Sequence, residues 1–372
     1  MSDSPYSPGL EGIVAGETAI STIADGLRYR GYSIEDLAAG AEFEEVAYLI
    51  LHGSLPNVDE LREFRSRLAA SATVEPRILE FLRHVPRTAN AMDIMRTGTS
   101  MLAHWDPEAD DNSHEANVRK AERLLAQLPT IMAAWHRLCQ SQEPVAPDMK
   151  LSFAGNLLWM LHRREPKPNF VRAMDVSLTL YAEHEFNAST FTSRVVVSTL
   201  SDIHSAITAA IGALKGPLHG GANERVLEVL RQVGSDENAE PWVREALANK
   251  VRIMGFGHRV YKTGDPRAAF LKKFCAELAE ESREENLEQI AEVIERIVVD
   301  EKGLPPNLDW PSARLYHYMG LPVELYTPLF VVSRVVGWSA HAIEQLDNNR
   351  LIRPRSLYTG PGTQEFRPLD ER

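Results

Sequence analysis

The stretch FTSRVVVSTLSDIHSAITAAIGAL, Phe191 to Leu214, decides the fold class. Within it Leu200, Ile203, Ile207, Ile211 and Leu214 recur at intervals of three and four residues, which stacks them on one face of a helix. The run Val195 to Val197 has a local β preference, but the continuing 3.6-residue period overrides it, so one helix is expected through to Leu214. Gly216 and Pro217 are expected to end it, glycine by a left-handed cap and proline by its missing donor.

The same period recurs on both sides. Helices are predicted over 59–70, 116–138, 151–161, 223–233, 266–280, 285–298 and 323–345, with Leu287, Ile290, Ile294 and Ile297 forming the apolar side of one of them. Near the N-terminus, residues 19–23 and 27–32 flank Asp25-Gly26, a pair that tolerates positive φ and predicts a small β-hairpin. Strand-like segments are otherwise too few for a βαβ pattern, and the class is all-α. Helix breakers at Gly216-Pro217 and Gly320-Leu321-Pro322 divide the chain: residues 1–215 with 321–372 form a large helical domain, and 216–320 a small domain between them.

The 372 residues suffice for two lobes with a cleft between them, and 44% hydrophobic with 25% charged residues is the balance of a globular protein. A formal net charge of -12 argues against a nucleic-acid partner, which requires a clustered basic surface. Cys139 and Cys275 lie far apart, so neither a disulfide framework nor a zinc site is expected, and a reducing cytoplasm fits. The first thirty residues lack a basic segment followed by an apolar one, and no window approaches eighteen consecutive apolar residues, so neither a secretory signal nor a membrane span is expected.

Four features carry chemistry. GPLHGGAN at Gly216 to Asn223 sets His219 in a glycine-lined turn before a helix, where a ligand can approach the backbone and negative charge is favoured. GFGHR at Gly255 to Arg259 sets His258 in a second such turn, followed by Tyr261, Lys262 and Asp265-Pro266-Arg267. Asn307-Leu308-Asp309-Trp310 places an acid beside an aromatic ring: apolar surroundings would raise it towards a general base, and the competing reading is a helix-capping aspartate. Among Arg267, Arg334, Arg353 and Arg355, Arg334 interrupts the apolar run Leu329 to Val336, and a guanidinium buried there requires an anion. Other motifs fail. Gly255-Phe256-Gly257 lacks the strand and third glycine of a dinucleotide site, Gly212 to Gly221 holds no P-loop, and Gly337-Trp338-Ser339 is no nucleophile elbow. His184-Glu185 lacks the second histidine of a zinc protease.

Taken together, AEHEFNAST around His184, GPLHGGANERVL around His219, GFGHRVYKTGDPRA around His258 and NLDW around Asp309 resemble the citrate synthase family, over a match running from Gly9 to the RPRSLYTG at Arg353. The resemblance implies an almost wholly helical two-lobed fold, an obligatory homodimer, and condensation of acetyl-CoA with oxaloacetate without a cofactor or metal. His219 would hydrogen-bond the thioester oxygen, Asp309 would take the methyl proton, and His258 would polarise the ketone. His184, Arg267, Arg334 and Arg353 would hold the dicarboxylate, Arg353 reaching in from the other subunit, and Lys262 and Lys302 would meet CoA phosphates. One departure stands out: Trp310-Pro311-Ser312-Ala313 replaces the family's usual aromatic, tyrosine-like residue and Ser-Gly, which bears on the shape of the acyl pocket. Three alternatives stay open. They are a 2-methylcitrate synthase using propionyl-CoA, a citrate-cleaving lyase, and a non-catalytic acyl-CoA or dicarboxylate sensor, the last disfavoured because both turn histidines and the acid are present.

Overall fold

The computed structural model describes residues 6–24, 26–258, 261 and 264–372. A three-stranded antiparallel sheet comes first, β1 (Ser21–Thr22), β2 (Arg28–Tyr29) and β3 (Tyr32–Ser33), with Ser21 opposite Tyr29. The expected hairpin is thus present and gains a third strand; Asp25 lies outside the described residues. Ten helices follow: α1 (Ile34–Gly40), α2 (Phe43–His52), α3 (Val58–Ser71), α4 (Pro76–His84), α5 (Ala91–Leu102), α6 (His114–Cys139), α7 (Phe153–His162), α8 (Pro168–Tyr181), α9 (Ala188–Val197) and α10 (Ile203–Leu214). Then come α11 (Ala222–Val233), α12 (Asp236–Ala248), α13 (Pro266–Ser282), α14 (Glu285–Lys302), α15 (Asp309–Tyr318) and α16 (Tyr326–Asp347). No helix among the described residues is long and apolar enough to cross a membrane.

The core is built around α6 and α16. Ser113 starts α6 by accepting from the Ala116 N–H, and Leu124, Leu125, Leu128, Ile131 and Trp135 are all buried along it. Val331, Val332, Val335 and Trp338 of α16 are buried too, and each such side chain contributes about 2 kcal/mol of transfer free energy on leaving water. Helix α16 is apolar nearly all round because it is enclosed nearly all round. It packs on α6, α9, α10, α2 and α8. Helices α11 to α15 pack chiefly on one another, α13 against α15 and α12 against α14, and meet the rest through α13 on α8 and α1 and α11 on α16.

Three expectations are corrected. The helix predicted over 191–214 is two helices, broken at residues 198–202. Ser198 and Thr199 turn their hydroxyls back onto the Val195 and Val196 carbonyls, and Asp202 then caps a new start by accepting from the Ser205 N–H at 2.8 Å. Leu200 sits at φ 67° and is 65% exposed, so it leaves the apolar face on which its spacing had placed it. The end at Leu214 is right but its mechanism is not: Lys215 closes α10 in right-handed geometry, and Gly216 is not at positive φ. The last long helix begins at Tyr326 rather than at residue 323, after a single 3-10 turn over Val323–Leu325.

Candidate active site

Main-chain hydrogen bonds bring His258 and Asp309 to one place. The Gly257 N–H donates to the Pro305 carbonyl at 2.8 Å, the Asn307 N–H to the Gly255 carbonyl at 2.9 Å, and the Asn307 side chain to the Gly257 carbonyl at 2.9 Å. Gly255 is obligatory here: it lies at φ +89°, and an added Cβ would stand 2.9 Å from both Trp310 and Val226. Trp310 is fully buried, with its ring 4.5 Å from Phe256 and the Arg314 guanidinium 5.5 Å from its own centroid. Trp310, which opens the segment that departs from the family pattern, is therefore a wedge beneath the His258 turn.

Asp309 opens α15 but does not cap it; Leu308 occupies the cap position, which removes the competing reading. Its Oδ1 instead accepts from the Tyr181 hydroxyl at 3.0 Å. Burial pushes the Asp309 carboxyl above the ordinary carboxylate range, against the lowering pull of Tyr181, Arg267 and Arg334.

The histidines lie in the same cluster. His258 stacks on Tyr261 with centroids 4.7 Å apart, and His184 meets the His258 ring edge-on at 5.4 Å while its Nε2 lies 3.0 Å from the Tyr261 hydroxyl. Burial holds His184 well below the usual histidine value, and Arg267 and Arg334 add to the effect. His219 is pushed down to about 4, chiefly by burial and also by Arg334. It is therefore neutral at physiological pH. Its Nε2 is turned to Ser189, 2.8 Å from the hydroxyl and 3.3 Å from the backbone N–H, and Trp338 Nε1 donates to the same hydroxyl at 3.0 Å. Nδ1 makes no hydrogen bond to another described residue. The turn needs Gly220, where a Cβ would stand 2.3 Å from the Leu214 carbonyl oxygen.

Both buried arginines reach this cluster. Arg334 lies over Phe330, its Cζ 4.5 Å from the ring, and among the described residues it spends only Nε, donating to the Tyr181 carbonyl at 2.5 Å. Burial lowers it to about 10, so it remains a cation, with no carboxylate among the described residues in hydrogen-bond contact. Arg267 is grasped by Asp265 through Nε at 2.9 Å and Nη2 at 2.8 Å. Burial penalises this cation, but Asp265 more than offsets that and raises its proton affinity. Only Nη1 of Arg267 is left without a hydrogen bond to a described residue. Phe330 joins the parts, 4.7 Å from Tyr181 and 6.5 Å from His219.

Lys302 and Arg353 lie apart from this cluster. Lys302 is exposed at the end of α14, and Lys262 lies outside the described residues. Arg353 is exposed on an irregular tail that leaves α16 across the end of α9, where the Ile352 N–H donates to Ser198 Oγ at 3.1 Å. A separate cavity of about 390 Å³ beneath Glu44, Phe153 and Met160 contains none of these residues. Sequence reading missed Tyr181, Ser189 and Phe330, each of which reads locally as an ordinary helix residue.

A carboxylate raised by burial, two imidazoles lowered by it and buried guanidiniums thus share one region of an all-α frame, a set suited to proton abstraction beside an anion. The chain belongs to the citrate synthase family, whose members transfer acyl groups in a condensation reaction: the family model "Citrate synthase, C-terminal domain" matches residues 9–355. It is 51% identical to citrate synthase 2 of Bacillus subtilis over 366 residues, 98% of each chain, and 43% identical to 2-methylcitrate synthase of Shewanella oneidensis over 98% of this chain and 97% of that one. Among solved structures it resembles the Thermoplasma acidophilum citrate synthase in ternary complex with carboxymethyl coenzyme A and oxaloacetate, with a TM-score of 0.93 and 35% identity over 99% and 100% of the two chains.

Proposed function

We propose that this chain condenses acetyl-CoA with oxaloacetate and water to give citrate and CoA, with His219, His258 and Asp309 at the reaction centre. The observation that carries the reading is the Asp309 carboxylate, raised by burial, gathered with the neutral His219 and with Arg334, which has no carboxylate partner among the described residues. The Asp309 carboxylate takes a proton from the thioester methyl, whose C–H electron pair passes into an enolate. His219 Nδ1–H donates to the enolate oxygen, which a neutral imidazole does without competing for the base's proton. The enolate carbon attacks the ketone carbon of oxaloacetate while His258 stabilises the ketone oxygen. Water then cleaves the thioester and releases the CoA thiol.

Arg334, Arg267 through Nη1, and His184 would hold the oxaloacetate carboxylates, with Arg353 arriving from the partner of a homodimer. The tail's exposure, with Leu357 70% and Tyr358 74% accessible, supports that crossing because apolar side chains on an extended segment gain from a covering surface. Lys262 and Lys302 would meet CoA phosphates. No cofactor is needed, and a cytoplasmic location suits the substrates. Residues 216–320 would act as the small lobe that closes on 1–215 and 321–372.

Purified protein should release free thiol from acetyl-CoA only when oxaloacetate is supplied. Silence with both substrates, on folded protein, overturns the reading. Faster release from propionyl-CoA than from acetyl-CoA would instead assign 2-methylcitrate synthesis, an activity named for relatives 43% identical to this chain.

A further inference from the structure

Tyr181 is nearly fully buried at the last turn of α8, yet its hydroxyl meets the start of α15, a helix of the proposed small lobe. Three contacts converge on it. The hydroxyl lies 3.0 Å from Asp309 Oδ1 and 2.8 Å from Ser312 Oγ, and the Tyr181 carbonyl accepts from Arg334 Nε at 2.5 Å. Phe330 packs edge-on against the ring at 4.7 Å, fixing its plane. A phenol has one proton to donate, and an ionised carboxylate only accepts, so that proton belongs to Asp309 Oδ1; Ser312, whose Oγ lies 2.8 Å from the phenol oxygen and 3.3 Å from the Asp309 main-chain carbonyl oxygen, turns its own proton to the nearer phenol.

We propose that Tyr181 is a positioning residue for the carboxylate base: it occupies Oδ1, directs Oδ2 to the acyl methyl group, and ties the base to the arginine that holds the anionic co-substrate. The proposal rests on the functional reading above. In the proton-transfer step the methyl C–H bond breaks, its electron pair enters the enolate, and the proton goes to Oδ2. Oδ1 then still accepts from Tyr181 as a carbonyl oxygen, so the carboxyl group need not rotate during the step. Burial raises the Tyr181 phenol far above its ordinary value, with Asp309 adding to the effect, so it stays protonated and remains a donor. On the other side, Arg334 satisfies a carbonyl at the end of α8, where helical carbonyls lack a partner within the helix. An anion seated on Arg334 thereby also steadies the residue that aims the base.

The test separates aiming from mere support. Tyr181→Phe keeps the ring and removes the hydroxyl; fluorotyrosine placed at 181 keeps the shape and makes the phenol a stronger donor. Asp309 is faced by Tyr181 from α8, Ser312 and Tyr316 from α15, Asp265 and Arg267 at the start of α13, and Arg334 from α16. Only the first changes in these variants. Tyr181→Phe should lower kcat about tenfold, leave oxaloacetate affinity within about twofold, and move the ascending limb of the pH profile up by about one unit, because a lost donor favours the neutral acid. Fluorotyrosine should move that limb down. The ¹³C resonance of Asp309, assigned by its loss in Asp309→Asn, should titrate with the same two opposite displacements in the unliganded protein. That readout does not depend on turnover, so an inactive wild type would overturn the functional reading while leaving this one to the titration. An Asp309 titration unmoved in both variants, or equal losses in kcat and oxaloacetate affinity, overturns the proposal.

Discussion

On the wall of the site formed by residues 255–258 and 305–309, hydrogen bonds to the main chain do the holding: the Gly257 and Asn307 N–H groups and the Asn307 side-chain amide bind two short segments together through backbone carbonyls. On the facing wall, residues 181–189 against α16, buried side chains do it. Glu183 is fully enclosed, with Oε1 2.9 Å from His341 Nε2 and 2.9 Å from the Ser21 hydroxyl, while Tyr29 donates to its carbonyl at 2.9 Å. The small N-terminal sheet thus clamps the loop that carries His184. A backbone-stitched wall tolerates change in its pointing residues without loss of fold. A wall built on a buried hydrogen-bonded network does not, because removing one partner leaves another polar group unpaired in low dielectric.

Substitutions should separate the two walls, the largest effect coming first. Asp309→Asn is expected to lower kcat about a thousandfold with oxaloacetate affinity nearly unchanged, since it removes the base and keeps the shape. Its urea midpoint should not fall, and a marked loss of stability would place Asp309 in the frame rather than the chemistry.

Glu183→Gln should do the converse. Replacing the charged partner of His341 is expected to cost about 3 kcal/mol of stability, read from the denaturation midpoint, with a smaller loss of kcat through the His184 loop. An unchanged midpoint would break the contrast between the walls.

The exposed tail sharpens the comparison, as a candidate third wall supplied by a partner. Arg353→Ala and Asp309→Asn, each nearly inactive, should recover about a quarter of wild-type sites when dissociated, mixed and reassembled as random dimers, because half the sites of a mixed dimer carry neither change. No recovery after verified subunit exchange refutes the shared site.

The all-α class, most long helices and the glycine turns around His219 and His258 were legible in the sequence, because a 3.6-residue apolar period and glycine-rich punctuation are local signals. The helix break at 198–202 was not: Ser198, Thr199 and Asp202 there compete for backbone groups while the apolar period runs on across them. The capping alternative for Asp309 was locally reasonable and lost to a tyrosine 128 residues away. The resemblance pointed to His184, but its pairing with Tyr261 and its place beside His258 depend on packing between segments far apart in the chain.

What the sequence determined by itself is the inventory: an all-α frame, two histidines in glycine turns, one acid after a proline pair, and an arginine set in an apolar run. Tertiary structure alone decided which of these are charged and which way they face. It neutralised His219 by burial, left Arg334 without a carboxylate partner among the described residues, spent most of Arg267 on Asp265, and set Tyr181 on Asp309. The reason is physical: periodicity is encoded by neighbours along the chain, whereas desolvation and hydrogen-bond partnership depend on what other helices bring within a few ångströms.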